Sequence, residues 1–255
     1  MGWRQRVRAA RPKALPRIEG DLEDDAAKEY RLRARSAMHP RIASSFLGLL
    51  TGVLLLAGHA LATDREPTIL CLGDSLTEGY GLAPEHAYPS VLERRLHAAD
   101  HRGARVLNGG ISGSTSASAV SRLEWQLRAR PDVLILALGG NDGLRGLDLA
   151  TTRRNLSAAI ELAKGRGVRV ILAGMKLPPN YGPAYTGDFE RLFPELAAEH
   201  EVALIPFLLE GVAARPGLNL PDGIHPNARG YELVAENVLE VLLPMLEKNA
   251  GGGGS

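Results

Sequence analysis

The sequence predicts an α/β fold in which helices cover both faces of a parallel β-sheet. From residue 67 onward, five short apolar runs alternate with longer segments whose apolar residues recur at helical spacing. The runs are too continuously apolar for strands with one face in water, so they predict buried strands. Parallel neighbours need a crossover, which is normally a right-handed helix, and the alternation therefore predicts a three-layer α/β/α arrangement.

The elements follow one another in a regular order along the chain. The predicted strands are TILCL at 68–72, RVLN at 105–108, DVLILAL at 132–138, RVILAG at 169–174 and VALIPF at 202–207. The predicted helices are YPSVLERRLHAA, SASAVSRLEWQLRAR, DLATTRRNLSAAIELAKGRG, GDFERLFPELAAEH and NARGYELVAENVLEVLLPML. Asp148 is the predicted N-cap of the third helix, and Gly165 marks its C-terminal end.

Composition and charge limit the class of protein. The chain has 255 residues, of which 45% are hydrophobic and 23% charged, and this favours one globular domain. A net charge of +1 gives no electrostatic reason to expect a nucleic-acid partner. The single cysteine, Cys71, lies in the first apolar run, so an intramolecular disulfide and a cysteine metal cluster are both excluded.

Residues 38–62 have the pattern of a secretory signal peptide. Arg41 precedes an apolar segment at 46–57, and the stretch ends in an Ala-Leu-Ala cleavage site at 60–62. The pattern predicts export to the periplasm or the medium, cleavage before Thr63 and no stable membrane association afterwards. If the leader is not cleaved, its uncharged stretch is long enough to anchor the protein in a membrane.

The remaining terminal segments are excluded from the predicted fold. Residues 1–37 are rich in charge and poor in apolar periodicity, which predicts a disordered extension. Residues 250–255 contain GGGGS, the composition of a flexible linker. The predicted domain therefore spans residues 63–249.

Polar residues gather at one predicted edge of the sheet. Ser75 follows the first strand, Gly113 the second and Asn141 the third, while Asp222 and His225 precede the last helix. Ligands of open α/β sheets bind outside the carboxyl ends of the strands, where these loops are expected to meet. The sequence therefore predicts a functional site there.

The residue types in these loops fit acyl transfer. Ser75 is the candidate nucleophile, His225 the base that takes its proton, and Asp222 the carboxylate that orients the imidazole. The backbone N–H groups of Ser75 and Gly113 and the side-chain amide of Asn141 are candidate donors to the oxyanion. Together these groups predict a covalent mechanism with an acyl-enzyme.

Each residue also has a simpler interpretation. Ser75 could serve only as a helix N-cap, Gly113 and Asn141 as turn or cap residues, and Asp222 as a turn residue. Asp222 and His225 could bind a metal, but no third ligand converges with them in the sequence, so no metal is predicted.

Four sequence blocks, GDSLTEG, GGISGST, GGND and DGIHP, resemble those of the GDSL or SGNH hydrolase superfamily. All five family positions match, at Ser75, Gly113, Asn141, Asp222 and His225. The resemblance implies a flavodoxin-like five-stranded parallel sheet and a monomeric, cofactor-free hydrolase of acyl esters, thioesters, aryl esters and lysophospholipids. The G-x-S-x-G motif of α/β-hydrolases is absent, because Thr77 stands where it requires glycine.

The segment at 175–185 is the predicted substrate-contacting loop, since proline stiffens it and apolar side chains line it. The predicted substrate contacts are Asp74, Leu76, Leu144, Leu177, Pro178, Tyr181 and Tyr185. Two other functions stay open at this point. They are a carbohydrate O-acetylesterase on the same scaffold, with a more polar cleft, and a non-catalytic flavodoxin-like binding module.

Overall fold

A fully parallel five-stranded sheet forms the centre of the fold. The computed structural model describes residues 66–250, so the predicted extension, signal peptide and glycine-rich tail lie outside the described residues. The strands are β1 (Thr68–Gly73), β2 (Arg105–Gly110), β3 (Val133–Ala137), β4 (Arg169–Ala173) and β5 (Ala203–Ile205). Their order is β2-β1-β3-β4-β5, with every neighbouring pair parallel.

This strand order creates a crevice at the carboxyl ends of the strands. From β1 the chain passes to β2 on one side and then returns to β3 on the other. At such a reversal, the connections that leave the two central strands diverge and open a ligand crevice outside their carboxyl ends. The order is that of flavodoxin-like sheets and confirms the predicted fold class.

Seven α-helices are found among the described residues, and 3₁₀ turns occur between them. They are α1 (Ser75–Glu78), α2 (Tyr88–Ala98), α3 (Ala119–Gln126), α4 (Gly140–Leu144), α5 (Leu149–Gly165), α6 (Pro183–Glu199) and α7 (Ala228–Ala250). The five long helices match the five predicted ones. The sequence pattern does not predict α1 and α4, because four or five residues are too few to show a helical period.

The strand residues alternate between two apolar clusters, one on each face of the sheet. In β1, Ile69 and Cys71 belong to the first cluster, whereas Leu70 and Leu72 belong to the second. Helices α2 and α7 complete the first cluster, and α3, α5 and α6 complete the second. This arrangement gives the three predicted layers.

The prediction of five fully buried strands holds for β1 and β3, and for β4 except its first residue. It is wrong for the edge strands β2 and β5. In β2, Arg105 and Asn108 are exposed and Val106 and Leu107 are half-buried. Each edge strand has a neighbour on one side only, and β5 ends at Ile205, before a proline that lacks a backbone N–H.

The ends of α5 are those that the sequence predicts. The Asp148 carboxylate accepts bonds from the backbone N–H groups of Ala150 at 3.4 Å and Thr151 at 2.9 Å, which makes it the N-cap. The helix ends at Gly165. Within residues 66–250, no helix combines the length and the apolar character needed to cross a bilayer.

Gly110, the last residue of β2, allows a close approach to α1. A Cβ atom at this position would lie 2.1 Å from the backbone nitrogen of Glu78. We expect Gly110→Ala to lower the free energy of unfolding by about 1 to 3 kcal/mol, because backbone must move to admit the methyl group. The control is Gly165→Ala, where nothing lies within 4 Å. Thermal denaturation followed by circular dichroism measures both, and equal midpoints would contradict the expected crowding.

Candidate active site

Ser75 is the first residue of α1, and its hydroxyl does not cap the helix. The chain leaves β1 at Gly73, and the Asp74 carboxylate accepts the backbone N–H of Leu76 at 3.0 Å, so Asp74 is the N-cap. Ser75 is therefore the first residue of the helix, and the interpretation of its side chain as the cap is wrong. Its hydroxyl instead forms a hydrogen bond with the imidazole of His225.

A continuous chain of hydrogen bonds joins Asp222, His225 and Ser75. The distance from Asp222 Oδ2 to His225 Nδ1 is 2.7 Å, and that from His225 Nε2 to Ser75 Oγ is 2.9 Å. Asp222 Oδ1 also accepts the backbone N–H groups of Ile224 at 2.9 Å and His225 at 3.0 Å. The turn at 222–225 thus places the Asp222 carboxylate next to the imidazole of His225.

The electrostatics of this turn keep Asp222 ionised. Hydrogen bonds from the backbone N–H and the ring of His225, together with that from the Ile224 N–H, lower the pKa of Asp222 to about 2. The ionised carboxylate accepts a hydrogen bond from the Nδ1–H group, so the proton stays on Nδ1 and the lone pair of Nε2 is directed at Ser75. The imidazole is therefore arranged to accept the serine proton.

Tyr80 covers the imidazole, and nothing in the sequence pattern singles it out. Its ring centroid lies 4.6 Å from that of His225, with the two planes tilted by 38°. The tyrosine follows α1 and the histidine lies about 145 positions later, so the contact depends on tertiary structure alone. Sequence spacing carries no signal for such a contact.

The three candidate oxyanion donors line one cavity with the serine and the histidine. Gly113 has a φ of +75°, a left-handed backbone conformation that favours glycine. The backbone N–H groups of Ser75 and Gly113 donate to no acceptor within residues 66–250. Both donors are therefore free to bind an oxygen atom of a substrate.

Asn141, the third candidate, uses both protons of its amide within the protein. Nδ2 donates to Asp74 Oδ2 and to the carbonyl of Ser114, each at 3.1 Å. A flipped amide would point its oxygen at two acceptors, so the hydrogen-bond network fixes its orientation. To serve an oxyanion, Asn141 must exchange one of these acceptors for the substrate.

The cavity has a volume of about 670 Å³ and a mostly apolar lining. Five of the predicted substrate contacts line it: Asp74, Leu76, Leu144, Leu177 and Pro178. The sequence reasoning missed a second group of lining residues, namely Phe207, Leu209, Ala213, Ala214 and Ile224. Four of these residues come from the segment after β5, and Ile224 lies in the 222–225 turn. Their residue types do not distinguish them from other core or loop residues.

Tyr181 and Tyr185, two further predicted substrate contacts, do not line this cavity. Their hydroxyls donate to the backbone carbonyls of Leu144 and Leu147, each at 2.9 Å. These bonds tie the chain around α6 to the segment after α4. The two tyrosines therefore support the cavity wall from outside.

No cluster of three or more histidine, cysteine, aspartate or glutamate side chains suited to a metal occurs in the part of the chain that the structure describes. Asp222 and His225 bond to one another and to Ser75. Their donor atoms are thus already engaged in the serine-centred arrangement.

Comparison with known proteins shows the family to which the chain belongs. Residues 71–233 match the sequence model of the GDSL-like lipase/acylhydrolase family. The chain belongs to this family. The match runs from the second half of β1 to the first part of α7, and it therefore covers Ser75, Asp222 and His225.

This GDSL-family chain aligns with its named relatives over almost the whole length of each relative. Esterase TesA of Pseudomonas aeruginosa is 40% identical over 201 residues, which cover 78% of this chain and 98% of the relative. Thioesterase 1/protease 1/lysophospholipase L1 of Escherichia coli K12 is 34% identical over 199 residues, covering 78% and 92%. The crystal structure of TesA aligns with a TM-score of 0.67 at 40% identity, covering 70% of this chain and 99% of that one.

The buried Asp74 carboxyl makes the stability of the folded protein depend on pH. The carboxyl is only 4% exposed, and burial raises its pKa from 3.8 to about 6, although bonds from Leu76 and Asn141 oppose the rise. The folded state therefore binds this proton more tightly than the unfolded state. The resulting stabilisation is present near pH 4 and is lost as the pH rises through about 6.

We expect the unfolding free energy of wild type, measured relative to that of Asp74→Asn, to fall by about 2 kcal/mol from pH 4 to pH 7. Asparagine does not titrate, so the difference isolates this carboxyl from other groups. Urea denaturation at each pH measures it. A difference that stays constant over this range would show that Asp74 does not change protonation there.

Proposed function

We propose that this protein is a serine hydrolase that cleaves carboxylic esters and thioesters through an acyl-enzyme. The observation that carries the proposal is the chain of hydrogen bonds from Asp222 through His225 to Ser75, at 2.7 and 2.9 Å. Ser75 and His225 line a mostly apolar cavity. A non-catalytic binding module has no need of such a chain. The relatives of this chain include proteins named esterase, arylesterase and thioesterase 1/protease 1/lysophospholipase L1.

In the first half-reaction, Ser75 Oγ attacks the carbonyl carbon of the substrate while its proton passes to His225 Nε2. Asp222 stays ionised and stabilises the imidazolium that forms. The negative charge on the former carbonyl oxygen is met by the N–H groups of Ser75 and Gly113 and by the Asn141 amide. The intermediate then collapses, and His225 gives its proton to the departing alcohol or thiol.

Water completes the second half-reaction by the same route. His225 takes a proton from water, the hydroxyl oxygen attacks the acyl carbon, and a second oxyanion forms against the same donors. Collapse breaks the bond to Ser75 Oγ, which recovers its proton from His225 and releases the carboxylic acid. Every proton is thereby returned, and no cofactor is required by the steps.

The lining of the cavity favours an acyl chain over a sugar. Met175, Leu177 and Pro178 lie on one segment, and Phe207 and Leu209 on another, so an aliphatic chain that enters loses contact with water. An acetylated carbohydrate would need hydrogen-bond partners that such walls lack. We therefore place aryl esters, acyl esters, acyl thioesters and lysophospholipids ahead of O-acetylated sugars.

We also propose that the protein acts as a monomer after export. The support for export is the leader pattern at 38–62, which lies outside the described residues. Secretion into the periplasm or the medium with cleavage before Thr63 stays a prediction. So does the monomeric state.

Ser75→Ala tests the function directly. We expect kcat to fall by about 10⁴ or more on p-nitrophenyl acetate, a longer acyl thioester and a lysophospholipid, because the attacking atom is removed. The control is Ser121→Ala, which removes an exposed serine of α3. Faster wild-type turnover of an acetylated sugar than of the acyl substrates would favour the carbohydrate esterase, and activity of Ser75→Ala equal to that of wild type would refute the mechanism.

Asn141→Ala tests the proposed oxyanion donor. We expect kcat to fall by about 10² to 10³ with KM changed less than about threefold, since the bond strengthens only in the transition state. Asn237→Ala is a matched control, because Asn237 Nδ2 also donates two hydrogen bonds within the protein, here to two backbone carbonyls, but the residue lies on α7. A change confined to KM would remove Asn141 from this role.

A further inference from the structure

A buried carboxylate immediately follows Asn141 and belongs to no step of the proposed reaction. Asp142 is only 2% exposed, and its Oδ2 accepts the backbone N–H of Ser116 at 2.8 Å. Its Oδ1 accepts the Ser116 hydroxyl at 2.5 Å, and Ser116 is itself only 1% exposed. One side chain of α4 is therefore bound twice to one residue of the loop between β2 and α3.

Helix α5 completes this buried network. Thr152 Oγ1 donates to Asp142 Oδ1 at 3.2 Å, and Asn155 Nδ2 donates to the Ser116 hydroxyl at 3.0 Å. Leu156, on the same helix, is fully buried in the core beneath the sheet. A polar network whose members are all bonded is rigid, so the core holds both Asp142 and Ser116 in place.

Two less buried hydrogen bonds connect the same segments nearer the cavity. Asn141 Nδ2 donates to the Ser114 carbonyl at 3.1 Å, and Arg145 Nη2 donates to the Gly113 carbonyl at 2.9 Å from an exposed position. The Asn141 amide must exchange an acceptor when it binds an oxyanion. The link from Asp142 to Ser116 needs no such exchange and can persist through the reaction.

We propose that Asp142 is a positioning residue that sets the separation between two oxyanion donors. Gly113 lies three residues before Ser116, and Asn141 directly precedes Asp142. The buried link between Asp142 and Ser116 therefore fixes the distance between the Gly113 backbone N–H and the Asn141 side-chain amide. Both donors come from loops on different strands, and no other side-chain link between the two loops is this deeply buried among the described residues. This inference rests on the proposed hydrolase function.

Asp142→Asn is the first test. An asparagine has one acceptor oxygen where the carboxylate has two, so its NH₂ group must face the N–H or the hydroxyl of Ser116. We expect kcat on p-nitrophenyl butyrate to fall about 10- to 100-fold with KM changed less than about threefold. We expect the inhibition constant of an alkyl trifluoromethyl ketone, whose adduct with Ser75 carries an oxyanion, to rise by a similar factor.

The control for general loss of stability is Leu242→Ala. Leu242 is fully buried on α7, in the cluster on the opposite face of the sheet from Asp142 and Thr152. At a temperature well below both midpoints, this variant is expected to keep wild-type kcat and inhibitor binding. If it loses as much kcat and inhibitor affinity as Asp142→Asn at an equal loss of Tm, the positioning role is refuted.

Ser116→Ala tests the same link and serves if Asp142→Asn does not fold. It removes the hydroxyl donor, keeps the backbone N–H and is expected to lower kcat about threefold to tenfold. In the double variant, the loss should be smaller than the product of the two single losses, because both changes break one unit. Independent effects, or wild-type kcat in folded Asp142→Asn, would overturn the inference. Neither result touches the proposed function, which depends on Ser75.

Discussion

The proposed chemistry depends on one interaction between residues 150 positions apart, the hydrogen bond between the Ser75 hydroxyl and His225 Nε2. A serine hydroxyl is a weak nucleophile until a base lies within hydrogen-bonding reach, and the base must present a lone pair. The Asp222 carboxylate provides that condition by accepting a hydrogen bond from Nδ1–H, which keeps the ring proton on Nδ1. Three hydrogen bonds keep the carboxylate ionised. The rest of the fold serves to bring these loops to one place.

The topology explains how that happens. Ser75 follows β1 and Asn141 follows β3, the two strands between which the chain reverses its direction across the sheet, so their loops flank the crevice. Arg122 on α3 donates to the carbonyls of Gly73 and Gly109, and so joins the carboxyl ends of β1 and β2 beneath the site. The packed core therefore determines the separation of catalytic groups that are far apart in sequence.

Sequence patterns predict most of this arrangement, because apolar periodicity and family motifs are local signals. They predict the five strands, the five long helices, the Asp148 cap and the three residues, Ser75, Asp222 and His225, that hydrogen bonds join. They do not predict that Asp74 caps α1, that Tyr80 covers His225 or that Tyr181 and Tyr185 bond to backbone outside the cavity. These contacts, like the half-exposed edge strand β2, depend on which elements become neighbours, and no single segment of sequence carries that information.

The most direct measurement of the central claim is covalent labelling by a p-nitrophenyl dialkyl phosphate, which reacts with activated serine hydroxyls and releases p-nitrophenolate. We expect one label per protein on the peptide that contains Ser75, identified by mass spectrometry. We also expect His225→Ala, which keeps the serine and removes the base, to be labelled far more slowly. Equal labelling of His225→Ala, or a label on another residue while Ser75 stays unmodified, would contradict the claim that His225 activates Ser75.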